Sequence, residues 1–176
     1  TKVYTNFDTG RGIPLGKLYE IMTTLHSGGK LDTVNNSTGY DDSFGSNGCG
    51  LAICNSISDW FIIECHREGK SKRLEFRDGY KDKEIDRELT KDDFKTGTWI
   101  QFKLSEEVLG DTNIDLDQLI ESAELMSYTS PKFRVDLTID NKTYNYYSEN
   151  GLSDFIEVII KRNKWNPMFK PLKFIF

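Results

Sequence analysis

Asp8-Thr9-Gly10-Arg11-Gly12-Ile13-Pro14 follows the β-prone run Val3-Tyr4-Thr5-Asn6-Phe7 and leads into a helical pattern, so it reads as a strand end, a tight turn and a helix start. A carboxylate held at a strand end accepts a hydrogen bond from an exocyclic amine such as that of adenine, and a charged partner makes such a bond worth about 1.5–3 kcal/mol. Gly10 and Gly12 carry no Cβ, which lets a flat ring approach the backbone. On its own, D-x-G-x-G describes an ordinary turn equally well.

The rest of the chain narrows the choice. Its 176 residues suffice for one domain, 1–176, with its own core. With 37% hydrophobic, 12% aromatic and 29% charged residues and four prolines, it is neither low-complexity nor fibrous. A net charge of −5 argues against this chain itself gripping a phosphate backbone through a basic face. No run approaches the length of a membrane span and no basic start leads into an apolar run, so the expectation is a soluble, cytoplasmic protein without a membrane partner. The first residue is Thr1 rather than Met, which reads as a piece of something longer. Cys49, Cys54 and Cys65 are odd in number and lack a C-x-x-C spacing, and His26 and His66 do not complete a zinc set. Buried free thiols are the expectation.

Period-2 alternation with β-branched and aromatic residues marks strands near 60–66, 74–76, 99–104, 133–139 and 143–147. Asp140-Asn141-Lys142 turns the last two into a hairpin. Leu18, Ile21, Met22 and Leu25 recur at helical spacing, as do Leu116, Leu119, Ile120 and Ala123, and further helices are expected near 51–57 and 152–160. The charged stretch 78–93 reads as a solvated connection, and the Gly-, Ser- and Asn-rich stretch between Ser27 and Gly50 as a lid. Helices and strands alternate irregularly, so the fold class is α+β: a two-layer sandwich of a mostly antiparallel mixed sheet with helices on one face.

Two further clusters bear on chemistry. Gly45-Ser46-Asn47-Gly48-Cys49-Gly50 precedes the apolar helix start Leu51-Ala52-Ile53, and backbone N–H groups at such a start suit a phosphate. No Gly-Lys-Ser/Thr follows, so it is not a Walker loop, and no βαβ pattern makes it a dinucleotide fingerprint. Lys95-Thr96-Gly97-Thr98 enters the strand at Trp99, where a plain hairpin would use the same residue types.

Taken together and in this order, the clusters resemble the ATPase domain of type II DNA topoisomerase B subunits, the gyrase B and topoisomerase IV B group of the GHKL (Bergerat-fold) ATPases. Asp8 to Pro14 resembles D-x-G-R-G-I-P, and Leu25-His26-Ser27-Gly28-Gly29-Lys30-Leu31-Asp32 is similar to L-H-x-G-G-K-F-D. Gly45 to Gly50 matches the lid's G-x-x-G-x-G, Arg67-Glu68-Gly69-Lys70 resembles R-E-G-K, Lys95 to Thr98 resembles K-T-G-T, and 147–163 resembles the segment that closes the ATP-binding subdomain.

The resemblance implies that Asp8 binds the adenine amine, that Gly12 and Thr98 assist through water, that Ile13 and Pro14 line the base pocket, and that Arg67 flanks it. Lys30, Tyr40 and the backbone of Asn47, Gly48, Cys49 and Gly50 would contact ribose or phosphates, and Arg11 would pair with a glutamate from upstream sequence. It further implies ATP and Mg2+ as cofactors, an A-type subunit or fused cleavage domain as partner, DNA contact through other domains, and a homodimer on ATP binding. A noncatalytic or split-gene nucleotide-binding module, or another GHKL-type ATPase, is the alternative. Phe44 stands where the family has a glycine and Asp41 where it has a lysine. The family's hydrolytic Glu and magnesium-holding Asn lie ahead of the adenine motif, in sequence this chain does not include. The 176-residue chain is therefore expected to turn ATP over poorly, since losing a positioned general base costs about 10²–10⁴ in rate. A magnesium-dependent phosphate-release assay on the isolated chain checks this, and turnover at an ordinary enzymatic rate contradicts it.

Overall fold

The computed structural model describes residues 2–27 and 48–167, and within them the chain forms two compact units, Thr1–Thr112 and Asn113–Phe176. The first unit holds β1 (Tyr4–Asp8), a 3-10 turn (Leu15–Lys17), α1 (Leu18–Thr23), α2 (Gly50–Ser56), β2 (Ser58–Arg67), β3 (Lys70–Arg77), β4 (Tyr80–Glu88), β5 (Gly97–Leu104) and the short α3 (Glu106–Leu109). Its five strands form one sheet in the order β1-β5-β2-β3-β4, and every neighbouring pair is antiparallel. The mostly antiparallel α+β arrangement expected from the sequence is borne out, and among the described residues every pairing in this sheet is antiparallel.

The period-2 pattern of β2 decides which face is covered. Phe61, Ile63 and Cys65 point to one side and pack with Leu74 and Phe76 of β3 and with Leu18 and Met22 of α1, all of them buried. Each large side chain so buried contributes about 1.5–3 kcal/mol. Leu18 and Met22 lie four residues apart on one helical face, which is why α1 docks there. The helix stops at Thr23, where the chain turns extended at Thr24, so Leu25 falls outside it and is exposed. Asn55 of α2 ties the two helices by donating to the Met22 carbonyl at 3.0 Å.

Residues 80–88 correct the sequence reading: they are an edge strand, not a solvated connection. All of β4 except Ile85 is exposed, so no face of it is apolar and the alternation that betrays a strand is missing. Cross-strand charges take its place, with Lys72 bonded to Glu84 at 2.7 Å and to Asp86 at 3.3 Å. Charge also suits an edge that must not pair with other chains. The signal that could have revealed it is Asp78-Gly79, a strong two-residue hairpin turn with both residues at positive φ.

The second unit holds α4 (Leu116–Thr129), the hairpin β6 (Val135–Ile139) and β7 (Lys142–Tyr146), and α5 (Leu152–Arg162). Asp115 caps α4 by accepting from the Asp117 and Gln118 amides, both at 3.1 Å. The hairpin turns through Asp140 and Asn141, both at positive φ. At the start of α5 the Asp154 carboxylate accepts from the Ser148 hydroxyl at 2.7 Å and from the Asn150 amide and side chain, each at 3.0 Å.

Those three donors, the Ser148 hydroxyl first, hold the Asp154 carboxyl below its ordinary value of 3.8. The unfolded chain therefore binds this proton more readily than the folded one, so stability rises with pH through this window. Its contribution is complete above the ordinary carboxylate range and fades as pH falls below about 3.9 toward the folded-state value. Asp154→Ala is expected to lower the melting temperature at about pH 7 and to flatten the acid limb of the stability profile, as read by circular dichroism from about pH 7 to about pH 2.

Candidate functional site

The covered face of the sheet ends in a row that the register fixes. Asp8 of β1 lies opposite Thr98 of β5, and Thr98 lies opposite Cys65 of β2, so three side chains from three strands point the same way at one end of the sheet. Thr98 is buried and Asp8 is exposed. The strands meet closely here because residue 97 is glycine: a Cβ on it would lie 2.0 Å from the Asp8 carbonyl oxygen.

After Asp8 the chain leaves the sheet. The carboxylate accepts the Gly10 amide at 2.8 Å, an Asx-type turn in which the side chain bonds its own backbone two residues on. Gly12, buried at φ +72, then passes against β2 so closely that a Cβ would lie 2.4 Å from the His66 carbonyl oxygen. Arg67 donates from Nη1 to the Gly12 carbonyl at 3.2 Å. Ile13 donates its amide to Cys65 Sγ at 2.9 Å, and the thiol donates in turn to the Ile13 carbonyl at 3.3 Å. Pro14 then caps the 3-10 turn that leads into α1, its carbonyl accepting from the Lys17 amide at 2.9 Å.

Asp8, Gly12, Ile13, Arg67 and Thr98, scattered over 91 positions of sequence, thus come together around one turn. Arg11 and Pro14 lie on the same turn, Arg11 exposed and Pro14 exposed beside the half-buried Ile13. Gly48, Cys49 and Gly50 form the start of α2, where Cys49 is the N-cap and its carbonyl accepts from the Ile53 amide at 3.0 Å. The Cys49 thiol lies 3.5 Å from His26 Nδ1, joining that start to the end of the α1 segment. Lys30, Tyr40 and Asn47 lie outside the described residues, as do Phe44 and Asp41.

The electrostatics of the row centre on Cys65. Burial pushes its thiol up from 9.0, the Ile13 backbone and the Thr98 hydroxyl pull it down, and the charges of Asp8 and Arg67 act on it in opposite senses. None of the three cysteines is in a disulfide; Cys65 is buried and Cys49 and Cys54 are half-buried. Among the described residues no group of three or more His, Cys, Asp or Glu side chains could hold a metal ion. The sequence presents Cys65 as one more buried thiol, and nothing in the pattern Phe61, Ile63, Cys65 marks it beyond a polar atom at an otherwise apolar position.

No family model matches the chain. It is 31% identical over 163 residues to the DNA gyrase B protein of Halalkalibacterium halodurans, covering 85% of this chain and 24% of that protein. It is 27% identical over 175 residues to the type 2 topoisomerase B protein of Aquifex aeolicus, covering 94% of this chain and 21% of that one. It is 28% identical over 167 residues to the DNA topoisomerase 4 B protein of Mycoplasma capricolum, covering 89% and 25%. The chain is homologous to gyrase B and topoisomerase IV B. It spans about a quarter of the length of these relatives. It also shares the fold of the 43K ATPase domain of Thermus thermophilus gyrase B, solved in complex with an aminocoumarin, with a TM-score of 0.71 at 23% identity over 90% of this chain and 41% of that one. The gyrase B fold thus accounts for the five-stranded sheet and its helices. Among the described residues no helix is long and apolar enough to cross a membrane.

Gly12 tests the geometry directly. Gly12→Ala places a methyl on the His66 carbonyl at a left-handed φ that costs an L-residue about 1–2 kcal/mol before any clash. The expected outcome is a lowered urea midpoint together with displacement of the Ile13 amide signal in a nitrogen–proton correlation spectrum. A variant with wild-type stability and spectrum would contradict the close approach.

Proposed function

We infer that this chain is the ATP-binding part of a type II DNA topoisomerase B subunit, an ATP-hydrolysing isomerase in which nucleotide binding and hydrolysis drive subunit pairing and DNA strand passage. The observation that supports it most directly is the Asp8–Thr98 register beside the Gly12 turn: a carboxylate and a buried hydroxyl face one side while the adjoining backbone carries no side chain. Homology over most of the chain to gyrase B and topoisomerase IV B supports the same reading.

In this reading Asp8 accepts the exocyclic amine of adenine while keeping its bond to the Gly10 amide, which fixes the carboxylate's rotation. The Thr98 hydroxyl and the Gly12 backbone bind the ring edge through water. Ile13 and Pro14 offer apolar surface to one side of the base, and Arg67, held by Gly12 and by Glu68 at 3.0 Å, flanks the mouth. The start of α2 at Gly48, Cys49 and Gly50, with Lys30, Tyr40 and Asn47, receives the ribose and phosphates, and Arg11 pairs with a glutamate from upstream sequence. When ATP is bound, its triphosphate supplies the phosphoanhydride chemistry, with Mg2+ as its counter-ion in the full-length enzyme. The proposed partners are an A-type subunit or fused cleavage domain, DNA through further domains and a second copy of the same protein, in the cytoplasm.

Isothermal titration of the chain with a non-hydrolysable ATP analogue tests the reading, with Asp8→Asn as the paired variant. A hydrogen bond to a charged group is worth about 1.5–3 kcal/mol, so the variant is expected to bind about 10- to 150-fold more weakly. Equal affinity of the two proteins for the analogue would overturn the assignment of Asp8.

A further inference from the structure

We propose that Cys65 is a positioning residue for adenine recognition, acting through the Ile13 backbone; this rests on the reading of 8–14 as the adenine-binding turn. Ile13 lies in neither a strand nor a helix, so its amide and carbonyl have no ladder partner. Cys65 supplies both, accepting the amide at 2.9 Å and donating to the carbonyl at 3.3 Å. Backbone groups outside a ladder need other partners, and a hydrocarbon at this position would remove both of these hydrogen bonds from the half-buried Ile13.

The thiol does this from within the core. Its neighbours on the same face of β2 are Phe61 and Ile63, where an aliphatic residue would pack as well. What an aliphatic residue would lack is the donor and the acceptor. Cys65 also stands opposite Thr98 in the strand register, and Thr98 stands opposite Asp8, so the residue that holds the turn sits in the same row as the carboxylate. Burial keeps the thiol protonated and therefore able to donate to the Ile13 carbonyl. A shift of the Ile13 backbone would move the Gly12 edge relative to Asp8, and with it the fit of the base rather than of the phosphates.

The test compares two probes, a non-hydrolysable ATP analogue and the same analogue with an inosine base, in which an oxygen replaces the amine. The proteins are the unmodified chain, Cys65→Val and Cys65→Ser. The unmodified chain prefers the adenine probe. Cys65→Val is expected to lose that preference by about three- to tenfold, the worth of one ordinary hydrogen bond, while Cys65→Ser, which keeps a donor and an acceptor, retains it. Wild-type preference in Cys65→Val, equal weakening of both probes, or loss in Cys65→Ser as large as in Cys65→Val would each overturn the proposal. If the unmodified chain binds both probes equally, the reading of the turn itself fails, and Cys65 with it. Should Cys65→Val not fold, amide exchange of the unmodified chain decides: the Ile13 amide is expected to exchange slowly, and rapid exchange would overturn the proposal.

Discussion

The arrangement depends on how the end of β2 grips a turn that belongs to no regular element. Three successive residues take part. Cys65 bonds both backbone polar groups of Ile13, the His66 carbonyl packs against Gly12, and Arg67 donates to the Gly12 carbonyl. Because Cys65 is also a member of the buried cluster with Phe61, Ile63, Leu74, Leu18 and Met22, the packing of the core and the placement of the turn are one constraint. Close-packed interiors pass small displacements on to their neighbours, so a change in the core is felt at the turn.

The opposite face of the sheet holds the same strand end by different physics. His66 is buried and stacked on Phe94 at 3.6 Å between ring centroids. Its Nδ1–H donates to the Phe94 carbonyl and its Nε2 meets the Glu64 carboxylate, both at 2.8 Å. Burial pushes the Glu64 carboxyl up, but the His66 and Ser71 hydrogen bonds and the Arg87 charge outweigh it and hold the group below its usual range. Arg87, from the charged edge strand, bonds both oxygens of Asp93 at 2.7 Å and reaches Glu64 at 3.1 Å. A buried polar group is tolerated only when paired, and here the pairing draws partners from β2, β3, β4 and the 90–94 loop. The strand that carries Cys65 and Arg67 is therefore fixed from both faces.

Much of this is legible in the chain. The period-2 pattern of 60–66 and 99–104, the helical spacing of Leu18 and Met22 and the turn at Asp140-Asn141 each set local structure through contacts within a few residues, and local contacts are what a linear pattern records. The motif residues Asp8, Gly12, Arg67 and Thr98 are legible as types, through a carboxylate, a missing Cβ, a guanidinium and a hydroxyl at characteristic places. The strand at 80–88 is not, because its stability comes from backbone pairing and cross-strand charge and it has no apolar face to declare itself. The order β1-β5-β2-β3-β4 is likewise invisible, since strand order follows from which distant segments pair.

The sequence by itself determined the α+β class, the helical and strand periods and the chemical character of the turn at 8–14, all of which follow from side-chain type and short-range spacing. Only the tertiary structure decided that Thr98 faces Asp8, that Gly12 passes against the His66 carbonyl, and that Cys65 serves Ile13. Those relations join residues 52 to 90 positions apart through strand register and backbone hydrogen bonds. A thiol at position 65 carries the same letter in the sequence whether it fills space or holds a turn, and the difference exists only once the chain has closed upon itself.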